Sequence, residues 1–282
     1  MRINGIDLCV ETLGDPADPS ILLIMGSGAS MDFWEDEFCE RLRAGGRFVI
    51  RYDHRDTGQS VSYEPGRPAY TGDDLIADAI GVIEAVGLTR AHVVGMSMGG
   101  AIAQLAALDH PDRVASLTLI ATSAGVGDED LPGVADRMRP ALAMPRPEVS
   151  DRPALLDYLT ELDRAFATAT RPFDAAGHRA LWARVLDRTK NIESMLVNHE
   201  VLDGAERWRE RLPRLAVPTL VIHGTDDPLL PYEHGVALAR EIRGAELLTL
   251  EGTGHELPRD TWDVVVPAIL GHTRAGVSFG GP

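Results

Sequence analysis

Ser97 stands in Gly95-Met96-Ser97-Met98-Gly99-Gly100, after the apolar run Ala91-His92-Val93-Val94 and before the small-residue stretch Ala101-Ile102-Ala103. A serine hydroxyl is a weak nucleophile until the chain lifts it clear of a sheet and a base takes its proton. A sharp strand-to-helix turn does the lifting, and glycines two residues either side let strand and helix approach closely. The pentapeptide Gly-x-Ser-x-Gly arises by chance often enough to mean little alone. The strand before it and the small-residue helix after it give it weight.

The base must be a histidine whose second ring nitrogen is held by a carboxylate. Of nine histidines, His255 is the one in a Gly-flanked loop after an apolar run, Glu251-Gly252-Thr253-Gly254-His255. His92 lies within the strand before Ser97 and reads as a packed core residue, and His223 reads as shaping the loop that follows it. That loop, His223-Gly224-Thr225-Asp226-Asp227-Pro228, offers two adjacent acids. Asp227 is preferred because it sits directly before Pro228. Acyl transfer also needs donors aimed at the developing oxyanion. The backbone N–H of Met98 is one, at a helix start where the dipole helps. The second is expected from the loop after Ile21–Met25, with Ser27 first and Gly28 as the alternative. A purely structural glycine turn is the competing reading of that loop.

These residues need a frame that brings strand ends together. Residues 1–13 read as a β pair, followed by a turn at 14–19. Ile21-Leu22-Leu23-Ile24-Met25, 47–52, 91–96, 114–120, 217–222 and 245–250 are strongly apolar runs, as expected of strands buried on both faces. Helical patterns fall between them at 34–44, 71–86 (with Gly87 as its stop) and 98–109, and again at 232–242 and 260–271. Strands alternating with helices predict an α/β fold with a mostly parallel, doubly wound sheet, whose ligands bind at the strands' C-terminal ends. The polar loop Asp53-His54-Arg55-Asp56-Thr57-Gly58-Gln59-Ser60 reads as a hydrogen-bonded scaffold rather than catalytic groups.

From Thr122 to Glu206 the character changes. Prolines break the opening stretch, helical patterns follow at 153–169, 174–189 and 191–202, and strong strands are missing. This predicts a helical cap over residues 123–206 inserted into a core of 1–122 and 207–282. Phe166, Phe173, Trp182, Met195 and Leu196 are read as cap core before substrate wall. A Gly-rich tail from Ala275 is expected to be loose.

Composition bounds the partners. Lys and Arg number 27 against 43 Asp and Glu, a net charge of −16, which disfavours nucleic acid and anionic membranes. Cys9 and Cys39 make no disulfide framework and no metal cluster, so each reads as a small buried hydrophobe. Without a secretory signal or a membrane-length apolar run, the expected setting is the cytoplasm.

On Met25-Gly26-Ser27, the 53–60 loop, the Ser97 hexapeptide, Gly224-Thr225-Asp226-Asp227-Pro228 and Gly254-His255, the chain resembles the α/β-hydrolase superfamily over about 1–122 and 213–272. The order Ser…Asp…His is the order of that superfamily. Within it, the segments 14–19, 51–58 and 90–95 are similar to aclacinomycin methylesterase and its actinobacterial relatives, which hydrolyse a methyl ester on a polyketide. The resemblance implies Ser97 as nucleophile, Asp227 and His255 as its partners, Ser27 and Met98 as oxyanion donors, and no metal or organic cofactor. It weakens across the cap. Met25 also stands where the common His-Gly oxyanion motif has its histidine.

The expected activity is therefore hydrolysis of a carboxylic ester or lactone of a small, largely apolar molecule through an acyl-enzyme. C–C bond hydrolysis and cofactor-free perhydrolysis could run on the same triad, and product analysis separates them. A ligand-binding protein with an idle triad is the rival outside enzymes, and a fluorophosphonate probe would fail to label it. Epoxide hydrolases and haloalkane dehalogenases are disfavoured because those relatives carry Asp where this chain has Ser97.

Overall fold

The computed structural model describes residues 1–125, 128–202 and 207–274. Strands β1 (Arg2–Ile3) and β2 (Ile6–Asp7) form a small antiparallel hairpin. The expected single β pair over 1–13 is thus divided. Asn4-Gly5 takes positive φ at both positions, which closes a tight hairpin and frees the following residues to join another sheet. That sheet contains β3 (Val10–Leu13), β4 (Ser20–Ile24), β5 (Phe48–Tyr52), β6 (Ala91–Met96), β7 (Val114–Ile120), β8 (Thr219–Gly224) and β9 (Glu246–Leu250). Their spatial order is β3-β5-β4-β6-β7-β8-β9, with β3 antiparallel to β5 and the remaining pairs parallel.

Helices α1 (Asp36–Ala44), α2 (Gly72–Ala85) and α3 (Met98–Asp109) follow β4, β5 and β6 in chain order. Helices α4 (Arg139–Leu142), α5 (Arg152–Phe166), α6 (Ala175–Arg188) and α7 (Ile192–Val197) lie between β7 and β8. Helices α8 (Glu233–Glu241) and α9 (Trp262–His272) complete the set. Strand side chains alternate between two apolar layers. Leu22 and Ile24 pack with residues of α2, α3 and α8, whereas Ile21 and Leu23 pack with α1 and α9. Both faces are covered, so β4 is buried at every position, as its unbroken apolar run requires.

Between β4 and β6 the winding reverses, because β5 lies on one side of β4 and β6 on the other. In open α/β sheets the crevice at such a switch point is where ligands bind. The loops after β4 and β6, carrying Ser27 and Ser97, both leave the sheet there.

The helices between β7 and β8 hold a separate apolar cluster of Leu155, Leu156, Leu159, Trp182, Val185, Leu186 and Met195. Their starts are set by Asp151, Asp174 and Asn191, whose side chains accept the N–H of Ala154, Gly177 and Ser194. Helix α5 stops at Phe166, short of the expected 169, because the Phe166 carbonyl accepts the N–H of His255 at 2.8 Å instead of continuing the helix. Helix α7 is likewise shorter than 191–202, giving way to a 3-10 turn over Asn198–Val201. The expected loose tail from Ala275 and the expected boundary at 206 fall outside the described residues. Among the described residues no helix is long and apolar enough to cross a membrane.

The loop after β5 is the scaffold its composition suggested. Arg55 forks onto Asp78 of α2 at 2.7 and 3.0 Å, with both side chains buried. Removing one partner of a buried pair strands the other's charge. Asp78→Ala is therefore expected to lower the unfolding free energy by about 3–5 kcal/mol, read as a shift in the urea midpoint at unchanged slope.

Candidate active site

Ser97 occupies φ 54°, ψ −121°, a conformation few residues other than glycine adopt. Crowding from every side keeps it there. The Ser97 N–H donates to Ile120 O at 3.0 Å, and its carbonyl accepts the N–H of Gly100 at 2.9 Å and the Thr122 hydroxyl at 2.7 Å. A Cβ on Gly95 would overlap the Gly99 carbonyl, and one on Gly99 would overlap the Ile24 carbonyl. Glycine is thus required at both positions by contact between strand and helix. Strain of this kind, about 1–3 kcal/mol, persists only where the surroundings over-determine it.

The structure brings Ser97, His255 and Asp227 together from the ends of β6, β9 and β8. His255 Nε2 lies 3.0 Å from Ser97 Oγ, and His255 Nδ1 lies 2.8 Å from Asp227 Oδ2. These partners assign the tautomer: Nδ1–H donates to the carboxylate, leaving Nε2 to accept the serine proton. Asp227 Oδ1 accepts the N–H groups of Leu229 and Leu230 at 2.9 and 2.8 Å. Burial alone would raise the Asp227 carboxyl, but His255 and His223 outweigh it and hold the group well below the usual carboxylate range. His223 Nε2 donates to Leu230 O at 2.8 Å, so it does shape the acid loop. Asp226 has another task. Its Oδ2 accepts the Thr168 hydroxyl at 2.6 Å, tying the acid loop to the chain just beyond α5.

The loop after β4 lies against the serine. A Cβ built on Gly26 would stand 3.2 Å from Ser97 Cβ and 3.7 Å from its Oγ. Gly28 and Ser27 separate clearly here: the Gly28 N–H donates to His199 Nδ1 at 3.0 Å, which commits it elsewhere. Neither the Ser27 N–H nor the Met98 N–H has a hydrogen-bond partner among the described residues. The loop is pinned at both ends. His54 Nε2 donates to Met25 O at 3.0 Å, and Asp53 Oδ1 accepts Met31 N–H at 3.0 Å.

A cavity of about 320 Å³ opens beside His255, with Met25 and Met96 in its floor. Phe33, Phe166, Phe173 and Leu181 supply apolar wall. Phe166 and Phe173 therefore line the cavity, contrary to their expected place in the insertion's core; Trp182 and Met195 do lie in that core. The reason is directional, because α5 ends at Phe166 and the chain turns back over the triad. His178 and Asp163 face the same space, with His178 Nδ1 2.8 Å from Asp163 Oδ2 and the Phe173 ring 4.4 Å from the imidazole. Arg171, Arg259, Glu35 and Asp260 form a charged rim in pairs. Sequence reading missed His178 and Asp163 because their partnership spans 15 residues between two helices and no local motif marks it.

Cys39 is buried and its thiol is pushed up to about 11 by that burial, while Cys9 is half-buried, so neither sits in the cavity as a nucleophile. His92 is less enclosed than expected, partly exposed and bonded to the Ser116 hydroxyl at 2.8 Å. Among the described residues no group of three or more His, Cys, Asp or Glu side chains is placed to hold a metal ion.

Comparison with known proteins agrees with this geometry. The family model described as alpha/beta hydrolase fold matches residues 19–260. Rhodomycin D methylesterase DnrP of Streptomyces peucetius is 37% identical over 96% of both chains, and rhodomycin D methylesterase DauP of Streptomyces sp. (strain C5) is 35% identical over the same shares. A solved hydrolase from Pseudomonas aeruginosa PA01 superposes with a TM-score of 0.71 at 27% identity, covering 96% of each chain. With a doubly wound parallel sheet, a strained serine at its switch point and these relatives, the chain belongs to the α/β-hydrolase family.

Proposed function

We propose that the protein is a carboxylic ester hydrolase in which Ser97, His255 and Asp227 act as nucleophile, general base and orienting carboxylate. The observation that carries this reading is the unbroken chain from Ser97 Oγ through His255 to Asp227, at 3.0 and 2.8 Å, beside an apolar cavity. Ser97 Oγ attacks the ester carbonyl while its proton passes to His255 Nε2. The buried anionic Asp227 stabilises the imidazolium that forms. The oxyanion is held by the N–H groups of Ser27 and Met98, each worth on the order of 3–4 kcal/mol when removed. The C–O bond to the alcohol then breaks, and His255 returns the proton to the departing oxygen. Water attacks the acyl-enzyme, its proton goes to His255, and Ser97 leaves with that proton as the acid is released.

We assign residues 123–206 as a cap and 1–122 with 207–282 as the catalytic core. The cap's Phe166 and Phe173 size the site for a bulky apolar acyl portion. The relatives' names support a methyl ester of a polyketide-like compound as the substrate, with methanol and the free acid as products.

Three measurements test this. Ser97→Ala is expected to lower turnover of p-nitrophenyl esters by about 10⁴-fold or more and to abolish labelling by a fluorophosphonate at unchanged thermal midpoint. Retained turnover in that variant overturns the assignment. Asp227→Asn should reduce kcat by about 10³- to 10⁴-fold, whereas Asp226→Asn, which disturbs only the bonds from threonine hydroxyls such as Thr168 and Thr170, should reduce it less than about tenfold; equal effects would mean the wrong acid has been chosen. Phe173→Ala should raise KM for aromatic methyl esters by about tenfold relative to its effect on p-nitrophenyl acetate. A uniform change across both substrates would remove Phe173 from the acyl site.

A further inference from the structure

We propose that His199, in the turn that ends the helical insertion, is a positioning residue for the oxyanion loop: by accepting the Gly28 N–H it holds the 26–29 turn that presents the Ser27 donor. This rests on the ester-hydrolase reading above, in which Ser27 N–H faces the reacting carbonyl.

Residues 26–29 form a turn closed by the Ala29 N–H to the Gly26 carbonyl at 3.3 Å, and Gly28 has φ +65°. Positive φ at the third position is the mark of a type II turn, which differs from type I chiefly by a flip of the central peptide. Here that peptide joins Ser27 to Gly28. Its N–H points at His199 Nδ1, 3.0 Å away, so the bond to His199 selects one of the two flips. Without that acceptor the Ser27–Gly28 peptide is free to flip, the turn loses the bond that holds it, and the preceding Gly26–Ser27 peptide, which carries the Ser27 N–H, loses that support.

His199 is itself fixed. It is buried, and its Nε2 donates to the Arg55 carbonyl at 2.9 Å, which leaves Nδ1 as the acceptor. Burial and the neighbouring His54, 5.8 Å away ring to ring, push His199 down to about 4 against the opposing pull of the Arg55 carbonyl. It is neutral at pH 7 and keeps the lone pair that Gly28 needs. His199 and Gly28 are 171 residues apart, so the segment that covers the cavity also sets the donor beneath it. The same segment is anchored independently. Asn198 Nδ2 donates to Asp56 at 2.8 Å, and Arg188 forks onto Asp53 at 2.8 and 2.6 Å.

Two substitutions separate the two bonds of one ring. Asn places an amide oxygen where Nδ1 stands and can still accept from Gly28, while Gln places an amide N–H where Nε2 stands and keeps only the bond to Arg55. Each kcat is expressed per site titrated with a fluorophosphonate, which removes any unfolded fraction, and thermal midpoints are recorded alongside. His199→Gln is expected to lose about 10- to 100-fold in kcat with KM for p-nitrophenyl butyrate within about threefold, and to bind a trifluoromethyl ketone more weakly by the same factor. His199→Asn is expected to stay within about threefold of the parent in kcat. Equal losses in both variants, losses that follow the thermal midpoint, or a loss confined to KM overturn the proposal. Should His199→Gln not fold, Gly28→Ala disfavours the same turn from the other partner and carries the same expectation; full kcat in that variant overturns it. Turnover surviving in Ser97→Ala would instead refute the ester-hydrolase reading itself, so the two failures are distinguishable.

Discussion

Close contact between β6 and α3 at Gly95 and Gly99 is the constraint on which the site depends. Neither position has room for a Cβ, and Ser97 between them is forced to positive φ. That backbone aims the hydroxyl out of the sheet and leaves the first amide of α3, at Met98, without an internal partner. A hydrogen bond to Ile120 and two from Gly100 and Thr122 hold the strained residue on three sides. The strain is local, and the well-packed parallel sheet on both sides absorbs it.

The rest of the site is a matter of convergence. Parallel strands place all their C-terminal ends on one edge, so the loops after β4, β6, β8 and β9 meet without further design. The helical insertion then locks those loops to one another. It takes the His255 N–H at the Phe166 carbonyl, Asp226 at Thr168, Asp53 at Arg188 and the Gly28 N–H at His199. Each contact joins the insertion to a different loop of the sheet edge. An insertion bound in this way both lines the cavity and ties together the loops beneath it.

Much of this was legible in the residues. Strongly apolar runs identified the parallel strands, unbroken in β4, where both faces are covered, and interrupted by single polar residues such as Arg51 in β5 and Thr249 in β9. The Gly-x-Ser-x-Gly turn and the Gly-flanked His255 declared themselves through local backbone need. Asp227 was separable from Asp226 by its place before Pro228. Phe166 and Phe173 were misplaced, since an aromatic at helical spacing reads the same whether its helix face meets a core or a cavity. The division of residues 1–13 between two sheets escaped for a similar reason, as alternation says nothing of which partner a strand will find.

By itself the chain determined its layers, the turn at Ser97 and which polar residues stand at the strand ends, because these follow from periodicity and steric demands within a few neighbours. Tertiary structure decided what depends on distant pairs. It took Gly28 out of contention by giving its N–H to His199, and it assigned Asp226 to Thr168. It also set His178 beside Asp163 on the cavity wall. Such partnerships cost nothing in local sequence pattern and arise only when the insertion folds back over the sheet. The turn at Ser97 is written locally, and the cavity beside it is made by packing.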